Sequence, residues 1–183
     1  MKELVLGIVF LVISIFLLNG LSIVNTQGNV NYEYSNISTN LTQLFGEPIY
    51  KETSRQQSTS IVLDVKENIK TQDSYIANGI LKDVGNVTDK LTFVTTYQPD
   101  GNISSSTGHG IISTSDGEIA TYTGQDLGIT DANGTKKYRG IEIFHTDSDG
   151  KLAFLDNLIG LYEYKSWLDG KKSGIIGEWK ITI

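Results

Sequence analysis

The stretch that decides the fold runs from position 99 to position 170: PDGNISSSTGHGIISTSDGEIATYTGQDLGITDANGTKKYRGIEIFHTDSDGKLAFLDNLIGLYEYKSWLDG. Asp-Gly or Asn-Gly pairs recur in it sixteen to twenty residues apart, at Asp100-Gly101, Asp116-Gly117, Asn133-Gly134, Asp149-Gly150 and Asp169-Gly170. Such a pair supplies the positive φ angles of a tight hairpin turn. The runs between the pairs are rich in Thr, Ile, Tyr, Val and Phe. This pattern predicts a long antiparallel meander.

Extended in both directions, the pattern predicts an all-β domain over residues 48–183. The candidate strands are Ile49–Gln57, Ser60–Lys66, Ser74–Lys82, Lys90–Gln98, Asn102–Ser115, Glu118–Ile129, Thr135–Thr146, Lys151–Trp167 and Lys171–Ile183. Residues 62–72 also fit a helical turn or a loop, so the count is eight or nine strands. Several strands reach ~12 residues, or roughly 40 Å. Because strands of that length curl, we predict an eight- or nine-stranded antiparallel up-and-down barrel.

An apolar segment precedes this domain. Residues 4–24 carry no charged side chain, and their length fits a helix that spans ~30 Å of hydrocarbon. An uncleaved transmembrane anchor and a cleaved signal peptide both fit, since Lys2 is offset by Glu3 and no Ala-x-Ala-like cleavage site follows. Residues 25–47 form a polar stretch that we interpret as a stalk. Either alternative places the domain outside the cytoplasm, at the cell membrane or secreted, and the anchor would make the membrane a partner.

The composition narrows the classes of function. The chain has no cysteine, which excludes disulfides, thiolate metal sites and a cysteine nucleophile. It has only two histidines, too few for a multi-histidine metal site. The net charge of −6, without any long basic run, argues against a nucleic-acid partner. We therefore predict no metal, no cofactor and no nucleic-acid binding.

Sequons for N-glycosylation are also present. The five Asn-x-Ser/Thr triplets begin at Asn36, Asn40, Asn86, Asn102 and Asn133. All five fall in the stalk or in predicted turns, where a glycan projects without disturbing a core. Asparagine is common in turns, so the same placement also arises without any glycan.

The turns allow a register to be predicted, if those at positions 116, 133, 149 and 169 are two-residue hairpins. One face then collects His109, Ile111, Tyr122, Ile141, Ile143, His145, Phe154, Asp156, Leu158, Tyr162, Ile175, Trp179 and Ile181. The other face collects Ile112, Thr121, Thr123, Gln125, Tyr138, Glu142, Phe144, Leu155, Asn157, Ile159, Glu178 and Lys180. The first face is the more apolar and is predicted to be the barrel interior. A G1 bulge at any of these turns would exchange the faces beyond it.

Four segments rich in glycine carry a resemblance to a known family. They are Thr107-Gly108-His109-Gly110, Gly124-Gln125-Asp126-Leu127-Gly128, Tyr138-Arg139-Gly140-Ile141 and Gly150-Lys151-Leu152-Ala153-Phe154-Leu155. Over about residues 75 to 183, the chain resembles allene-oxide-cyclase-like and dirigent-like barrels. The resemblance implies an eight-stranded barrel with a central cavity, often trimeric, that handles a small apolar molecule. It carries no catalytic residue of either family onto this chain.

Polar residues on the predicted interior face are the candidate ligand-binding residues. His145 and Asp156 would lie on adjacent strands within side-chain reach, and His109 would lie near Tyr122. A buried polar group must be paired or must line a wet cavity, and a satisfied histidine in or near the core is the interpretation that we favour over an acid–base pair. The segment Asp147–Gly150 resembles the start of a calcium loop but lacks the remaining ligands, and we interpret it as a turn.

Three hypotheses for function remain open from the sequence. The first is a non-enzymatic extracytoplasmic barrel, anchored or secreted, that binds a small apolar ligand or a partner. The second is a lyase or cyclase-type isomerase of the allene-oxide-cyclase kind. The third is a glycosylated surface or adhesion domain with a packed interior. An open or a solid interior separates the third from the other two.

Overall fold

The computed structural model describes residues 46–167 in full and residues 172–179 as backbone. The predicted helix over residues 4–24, nearly all of the stalk, and the sequons at Asn36 and Asn40 lie outside these residues. Within the described part, no helix is long and apolar enough to cross a bilayer.

Antiparallel strands in sequential order make up the described domain, as the sequence predicts. They are β1 (Pro48–Asp64), β2 (Lys70–Leu81), β3 (Gly85–Tyr97), β4 (Ile103–Thr114), β5 (Ile119–Thr130), β6 (Lys136–His145), β7 (Ile159–Ser166) and β8 (Lys172–Trp179). The first seven strands form one curled sheet in which each pairs with the next. The backbone of β8 pairs with β7 and also with the start of β1, so the strand order closes on itself.

The strand boundaries differ from the prediction at β1. The two candidate strands Ile49–Gln57 and Ser60–Lys66 are one strand of 17 residues. Its pairing with β2 passes three register irregularities, one of them between Gln57 and Thr59. A β-bulge absorbs the break without ending the strand, because the chain bends there while pairing continues. The predicted alternatives for residues 62–72, a helical turn or a loop, are replaced by the end of β1, a short connection and the start of β2.

The turns correct the predicted faces. Gly117 and Gly134 have positive φ, as predicted, but each closes a three-residue loop: the N–H of Thr114 donates to the carbonyl of Glu118, and that of Asp131 to the carbonyl of Thr135. This is the bulged turn, not the two-residue turn. Each extra residue shifts the register by one and exchanges the faces.

The exchanged faces change which side chains are interior. Gly110, not Ile111, lies opposite Tyr122 on one side, and Phe144, not His145, lies opposite it on the other side. The burial agrees, since Phe144 is fully buried whereas Ile111 and Ile143 are exposed. Tyr122 and Tyr162 are buried, as predicted for the interior face.

The predicted strand Lys151–Trp167 is wrong in its first half. Residues 146–158 form a loop that holds a 3₁₀ turn at Ala153–Leu155, and β7 begins only at Ile159. Leu152, Leu155 and Leu158 recur every third residue, which is the 3₁₀ period and not the strand period of two. All three are buried in the core. The tertiary fold therefore uses this segment as an apolar plug across one end of the sheet.

The interior has two unlike ends. The plugged end is a packed core made by the plug and by residues from the nearby strand ends: Leu81, Val87, Ile112, Ala120 and Phe144. The opposite end, where β2, β4 and β6 begin, is open and polar. Tyr50, Leu91 and Tyr162 belong both to the core cluster and to the lining of the open end. They mark the level at which packed core gives way to cavity.

Glycines inside the strands make room for four interior tyrosine rings. A Cβ atom at Gly110 would collide with the Tyr122 ring, and one at Gly79 would collide with the Tyr50 ring. In the same way, a Cβ atom at Gly128 would collide with the Tyr138 ring, and one at Gly140 would collide with the Tyr162 ring. Each ring lies across a glycine of an adjacent strand, which compensates the stability that glycine costs in a sheet.

Candidate functional site

The candidate site is the cavity of about 300 Å³ at the open end. Its wall is dominated by aromatic rings and acids. The aromatic members are Tyr50, Tyr75, Phe93, Tyr97, Tyr138, Tyr162 and Tyr164. The charged members are Glu52, Arg55, Asp73, Asp89, Asp126, Lys136, Glu142 and Glu163. Acids therefore outnumber bases six to two on this wall.

Asp89 and Glu142 are two of the buried acids of the cavity. Each is 5% exposed, and each follows from strand alternation: Asp89 lies between Val87 and Leu91 on β3, and Glu142 precedes the core residue Phe144 by two on β6. The Tyr122 hydroxyl donates to the Asp89 carboxylate. Glu142 Oε2 has no hydrogen-bond partner among the described residues.

Burial changes the ionisation of these acids. It raises the pKa of Asp89 to about 7, against the opposing effects of the Tyr122 hydrogen bond and the Arg55 charge. Burial, together with the nearby Asp89 carboxylate, raises the pKa of Glu142 well above its ordinary value. Burial also raises the pKa of Asp126, although the Tyr162 hydroxyl donates a hydrogen bond to it. These three carboxyls, of Asp89, Glu142 and Asp126, form what we call the floor of the cavity. At neutral pH the floor is therefore a partly protonated carboxyl cluster.

Two further polar atoms of the cavity are buried without partners in the described structure. They are Asp126 Oδ1 and the Tyr50 hydroxyl. Asp126 uses its other oxygen, Oδ2, to accept a hydrogen bond from Tyr162. Together with Glu142 Oε2, these atoms make up the whole set of unpartnered buried side-chain atoms found in residues 46–167, and all three residues line the cavity.

Arg55 is the cation of the cavity interior, and it is already engaged. Its Nη2 and Nε lie 2.6 and 2.8 Å from one oxygen of Glu52. Its guanidinium carbon lies 4.0 Å from the ring centroid of Tyr164 and 5.3 Å from that of Tyr75. Such stacking stabilises a cation through the ring quadrupole. Arg55 thus fixes two aromatic walls, and its charge, which Glu52 compensates, only partly offsets the buried acids.

A polar network holds the mouth of the cavity. Asp73 accepts hydrogen bonds from Gln57 Nε2 (2.9 Å), Ser60 Oγ (2.6 Å) and Thr71 Oγ1 (2.8 Å). Lys136 Nζ lies 5.8 Å from the ring centroid of Tyr97. The rim is thus ordered by side chains of β1, β2, β3 and β6.

The structure does not bring the four predicted site residues together. His145 Nδ1 and Asp156 Oδ1 are 2.9 Å apart, as predicted, but the pair is solvent-accessible and does not line the cavity. His109 is exposed on the outer face of β4, opposite Thr92 and Thr123. Tyr122 is buried and meets the site through Asp89. The bulged turns account for the outward placement of both histidines.

Sequence reasoning missed Asp89, Glu142, Asp126 and Arg55. One signal was available for Asp89, because it interrupts the alternating series Val87, Leu91 and Phe93 on one face of a strand. Glu142 required the register, which the bulged turns concealed. In residues 46–167 and the backbone of 172–179, no group of three or more His, Asp or Glu side chains has the arrangement of a metal site.

Comparisons with family models, with curated proteins and with solved structures give no match to this chain. The site must therefore be interpreted from its own chemistry.

Proposed function

We propose that this chain is an extracytoplasmic binding protein whose small-molecule ligand occupies the cavity of an eight-stranded barrel. The observation that carries the proposal is the coincidence of the cavity with the unpartnered buried atoms of Tyr50, Asp126 and Glu142. A buried polar atom without a hydrogen bond costs about 1–3 kcal/mol. A ligand that pairs with these atoms recovers that free energy, which gives the cavity a reason to bind.

The lining favours an amphipathic ligand over the wholly apolar one that the sequence led us to expect. Rings such as Tyr75, Tyr138 and Tyr164 offer apolar contact along the wall. The carboxyls of Asp89 and Glu142 at the floor would be desolvated without compensation by a purely apolar molecule. The ligand therefore carries at least one polar group directed to the floor.

An isomerase or lyase of the allene-oxide-cyclase kind is the second candidate. It is favoured by one observation: the Asp89 carboxyl has a pKa of about 7 and accepts a hydrogen bond from the Tyr122 hydroxyl. A carboxyl with such a pKa can take up and return a proton near neutral pH. The fate of a bound ligand separates the candidates. The binding protein releases it unchanged, whereas an enzyme yields a product that Asp89→Asn no longer forms.

A glycosylated domain with a packed interior is less well supported, because the open end holds a cavity. The sequons themselves remain usable: Asn86, Asn102 and Asn133 are all exposed. Glycan occupancy is thus compatible with ligand binding, and peptide mass spectrometry of the native protein measures it.

The location and assembly of the protein form part of the proposal. Residues 4–24 anchor the chain in the membrane or direct its export, and the mass of the mature protein distinguishes the two. A homotrimer is supported by the resemblance and by isoleucines on the outer strand faces, among them Ile76, Ile80, Ile111 and Ile119, which are exposed. Light scattering of the purified chain measures the oligomeric state, and a monomer at micromolar concentration would exclude a stable trimer.

The binding proposal is tested by blocking the cavity. Ser106 is buried, lines the cavity and hydrogen-bonds Thr95, its register partner on the neighbouring strand β3, at 3.1 Å. Ser106→Phe places a ring in the cavity, whereas Ser105→Phe places the same ring on the exposed outer face of the same strand. A fragment library of amines, alcohols and acids is screened by ligand-observed NMR against wild type and both variants.

We expect fragments that bind the wild type and Ser105→Phe but not Ser106→Phe. Circular dichroism checks that both variants fold. If Ser106→Phe does not fold, Thr95→Phe replaces it as the variant that blocks the cavity. Fragments whose binding is the same in the wild type and the blocked variant would overturn the proposal, as would the absence of any bound fragment.

A further inference from the structure

We infer that the ligand is a small organic cation, whose ammonium group binds at the carboxyl floor while its apolar part rests on the tyrosine rings. This inference rests on the proposed binding function and specifies its ligand class. It follows from three features of the cavity: unpaired acceptors, aromatic walls that already hold cations, and an excess of acid.

The floor presents acceptors that need donors. Glu142, which is 5% exposed, leaves Oε2 unpartnered, and Asp126 leaves Oδ1 unpartnered. Both line the cavity. An ammonium group has three N–H donors and no acceptor, so it satisfies more than one such oxygen at once. An anionic ligand would instead meet the two carboxyls with repulsion and leave both acceptors unpaired.

The charged and titratable groups around Glu142 do not cancel this preference. They come from every strand that faces it: Tyr50, Glu52 and Arg55 on β1, Asp89 on β3, Tyr122 and Asp126 on β5, and Tyr162 on β7. Arg55 is the single cation among them, and Glu52 binds it directly. The remaining groups are acids and phenols, so a positive charge arriving from solvent is attracted to the floor.

The walls are suited to the rest of a cationic ligand. Arg55 already stacks on Tyr164 and Tyr75, and Lys136 lies over Tyr97. The faces of these tyrosine rings are thus turned to positive charge inside this cavity. Tyr138 adds a further aromatic surface to the same wall. The apolar part of an alkyl or aryl amine can therefore pack against the tyrosine rings while its ammonium group pairs with the carboxylates of the floor.

Binding of a cation must be coupled to protons. Burial keeps carboxyl protons on the floor in the free protein, and a nearby positive charge favours the ionised form of a carboxyl. An arriving ammonium therefore displaces a carboxyl proton, which goes to the solvent. The affinity for a cation rises with pH through neutrality, whereas the affinity for a neutral hydrogen-bond acceptor falls.

Three probes of matched skeleton test the inference: phenethylamine, phenethyl alcohol and 3-phenylpropionate. Isothermal titration of the full chain in detergent measures their affinities at about pH 6 and about pH 8, in two buffers of different ionisation enthalpy. We expect phenethylamine to bind at least about tenfold more tightly than the other two near neutral pH, which equals about 1.4 kcal/mol. Its affinity rises with pH, and the buffer dependence shows proton release.

Two substitutions locate the effect. Glu142→Gln weakens phenethylamine binding about tenfold and leaves phenethyl alcohol unchanged. Asp83→Asn removes one carboxylate from the turn at the plugged end, where Asp83 has a φ of 61° that asparagine also tolerates, and leaves all affinities unchanged. The melting temperature of each free variant reports folding, and Asp89→Asn replaces Glu142→Gln if the latter does not fold.

The outcomes separate this inference from the proposed function. Tighter binding of the alcohol or the acid, or an amine affinity that is flat or falls with pH, would overturn the cation while leaving a ligand-binding cavity. Amine binding that neither Glu142→Gln nor Asp89→Asn weakens would do the same. Probe binding that persists in Ser106→Phe would overturn both the cationic ligand and the proposed ligand-binding function of the cavity.

Discussion

The hydroxyl of Tyr122 lies 3.1 Å from Oδ1 and 3.0 Å from Oδ2 of Asp89. Both residues are buried, and they come from strands separated by β4. The contact is possible because Gly110, on the intervening strand, lies directly opposite Tyr122 and leaves the space that its ring occupies. One phenol thus links the packed core to the acidic floor of the cavity.

The first prediction concerns the pH dependence of stability. The pKa of Asp89 is about 7 in the folded state, whereas the ordinary value for an aspartate, which applies in the unfolded chain, is 3.8. Between these two pH values the folded state binds more protons than the unfolded state. The protonated Asp89 carboxyl therefore stabilises the fold, and this contribution is complete below about pH 4 and is lost as the pH rises to about 7. The loss is on the order of 4 kcal/mol. Urea denaturation at about pH 5 and about pH 7.5 measures the part of this loss that falls between them, roughly 2–3 kcal/mol.

The variant Asp89→Asn should reduce this pH dependence, and the double variant Asp89→Asn/Glu142→Gln should reduce it further, because the pKa of Glu142 is raised in the same direction. Asp83→Asn, at the exposed turn, should keep the wild-type profile. A wild-type protein that becomes more stable from pH 5 to 7.5 would contradict the assignment.

The second prediction concerns the glycine beneath Tyr122. Gly110→Ala should destabilise the fold by about 1–3 kcal/mol, since the new methyl group collides with the tyrosine ring and displaces it from Asp89. Gly124→Ala is the matched control, because its nearest contact is 3.1 Å, to the end of the Phe93 ring, which can shift. Thermal unfolding of both variants measures the difference. Equal melting temperatures would contradict the close contact between the Tyr122 ring and Gly110.

The third prediction concerns the apolar plug. Leu155→Ala should cost about 2–5 kcal/mol, because it opens a cavity in the closed end. Phe154→Ala, at the adjacent position of the same 3₁₀ turn, removes a larger side chain that is 41% exposed and should cost much less. Urea denaturation compares the two. In the strand that the sequence predicts, Phe154 would lie in the interior and Leu155 on the other face, so a larger cost for Phe154→Ala than for Leu155→Ala would contradict the plug.

The fourth prediction concerns the exposed pair formed by His145 and Asp156. His145→Ala should leave stability within about 1 kcal/mol of wild type, since exposed ion pairs contribute little. It should also leave ligand affinity unchanged, because the pair does not line the cavity. Tyr122→Phe, in contrast, removes the donor to Asp89 and should alter both stability and affinity. Loss of ligand binding in His145→Ala alone would restore the histidine to the site.

Particular residues show how far prediction from sequence reached. The Asp-Gly and Asn-Gly pairs gave the strand order and direction, because a turn is decided by a few adjacent residues whose φ angles glycine permits. The same pairs misled at Glu142 and His145, because a two-residue and a three-residue loop use the same dipeptide, and one residue exchanges the faces. The plug was missed at Leu152 and Leu155, whose burial depends on the open sheet end that they cover.

By itself, the sequence determined an all-β antiparallel meander and an uncharged apolar segment ahead of it, since turns, strand propensity and local hydropathy are properties of neighbouring residues. The tertiary structure alone decided which side chains point inward, because the register depends on backbone hydrogen bonds across each bulged turn. It therefore also decided that Asp89, Glu142 and Asp126 share one cavity with a wall of tyrosines. These residues lie far apart in the chain. Their raised pKa values, and the unmet hydrogen bonds of Glu142 and Asp126, exist only because the curled sheet buries them together.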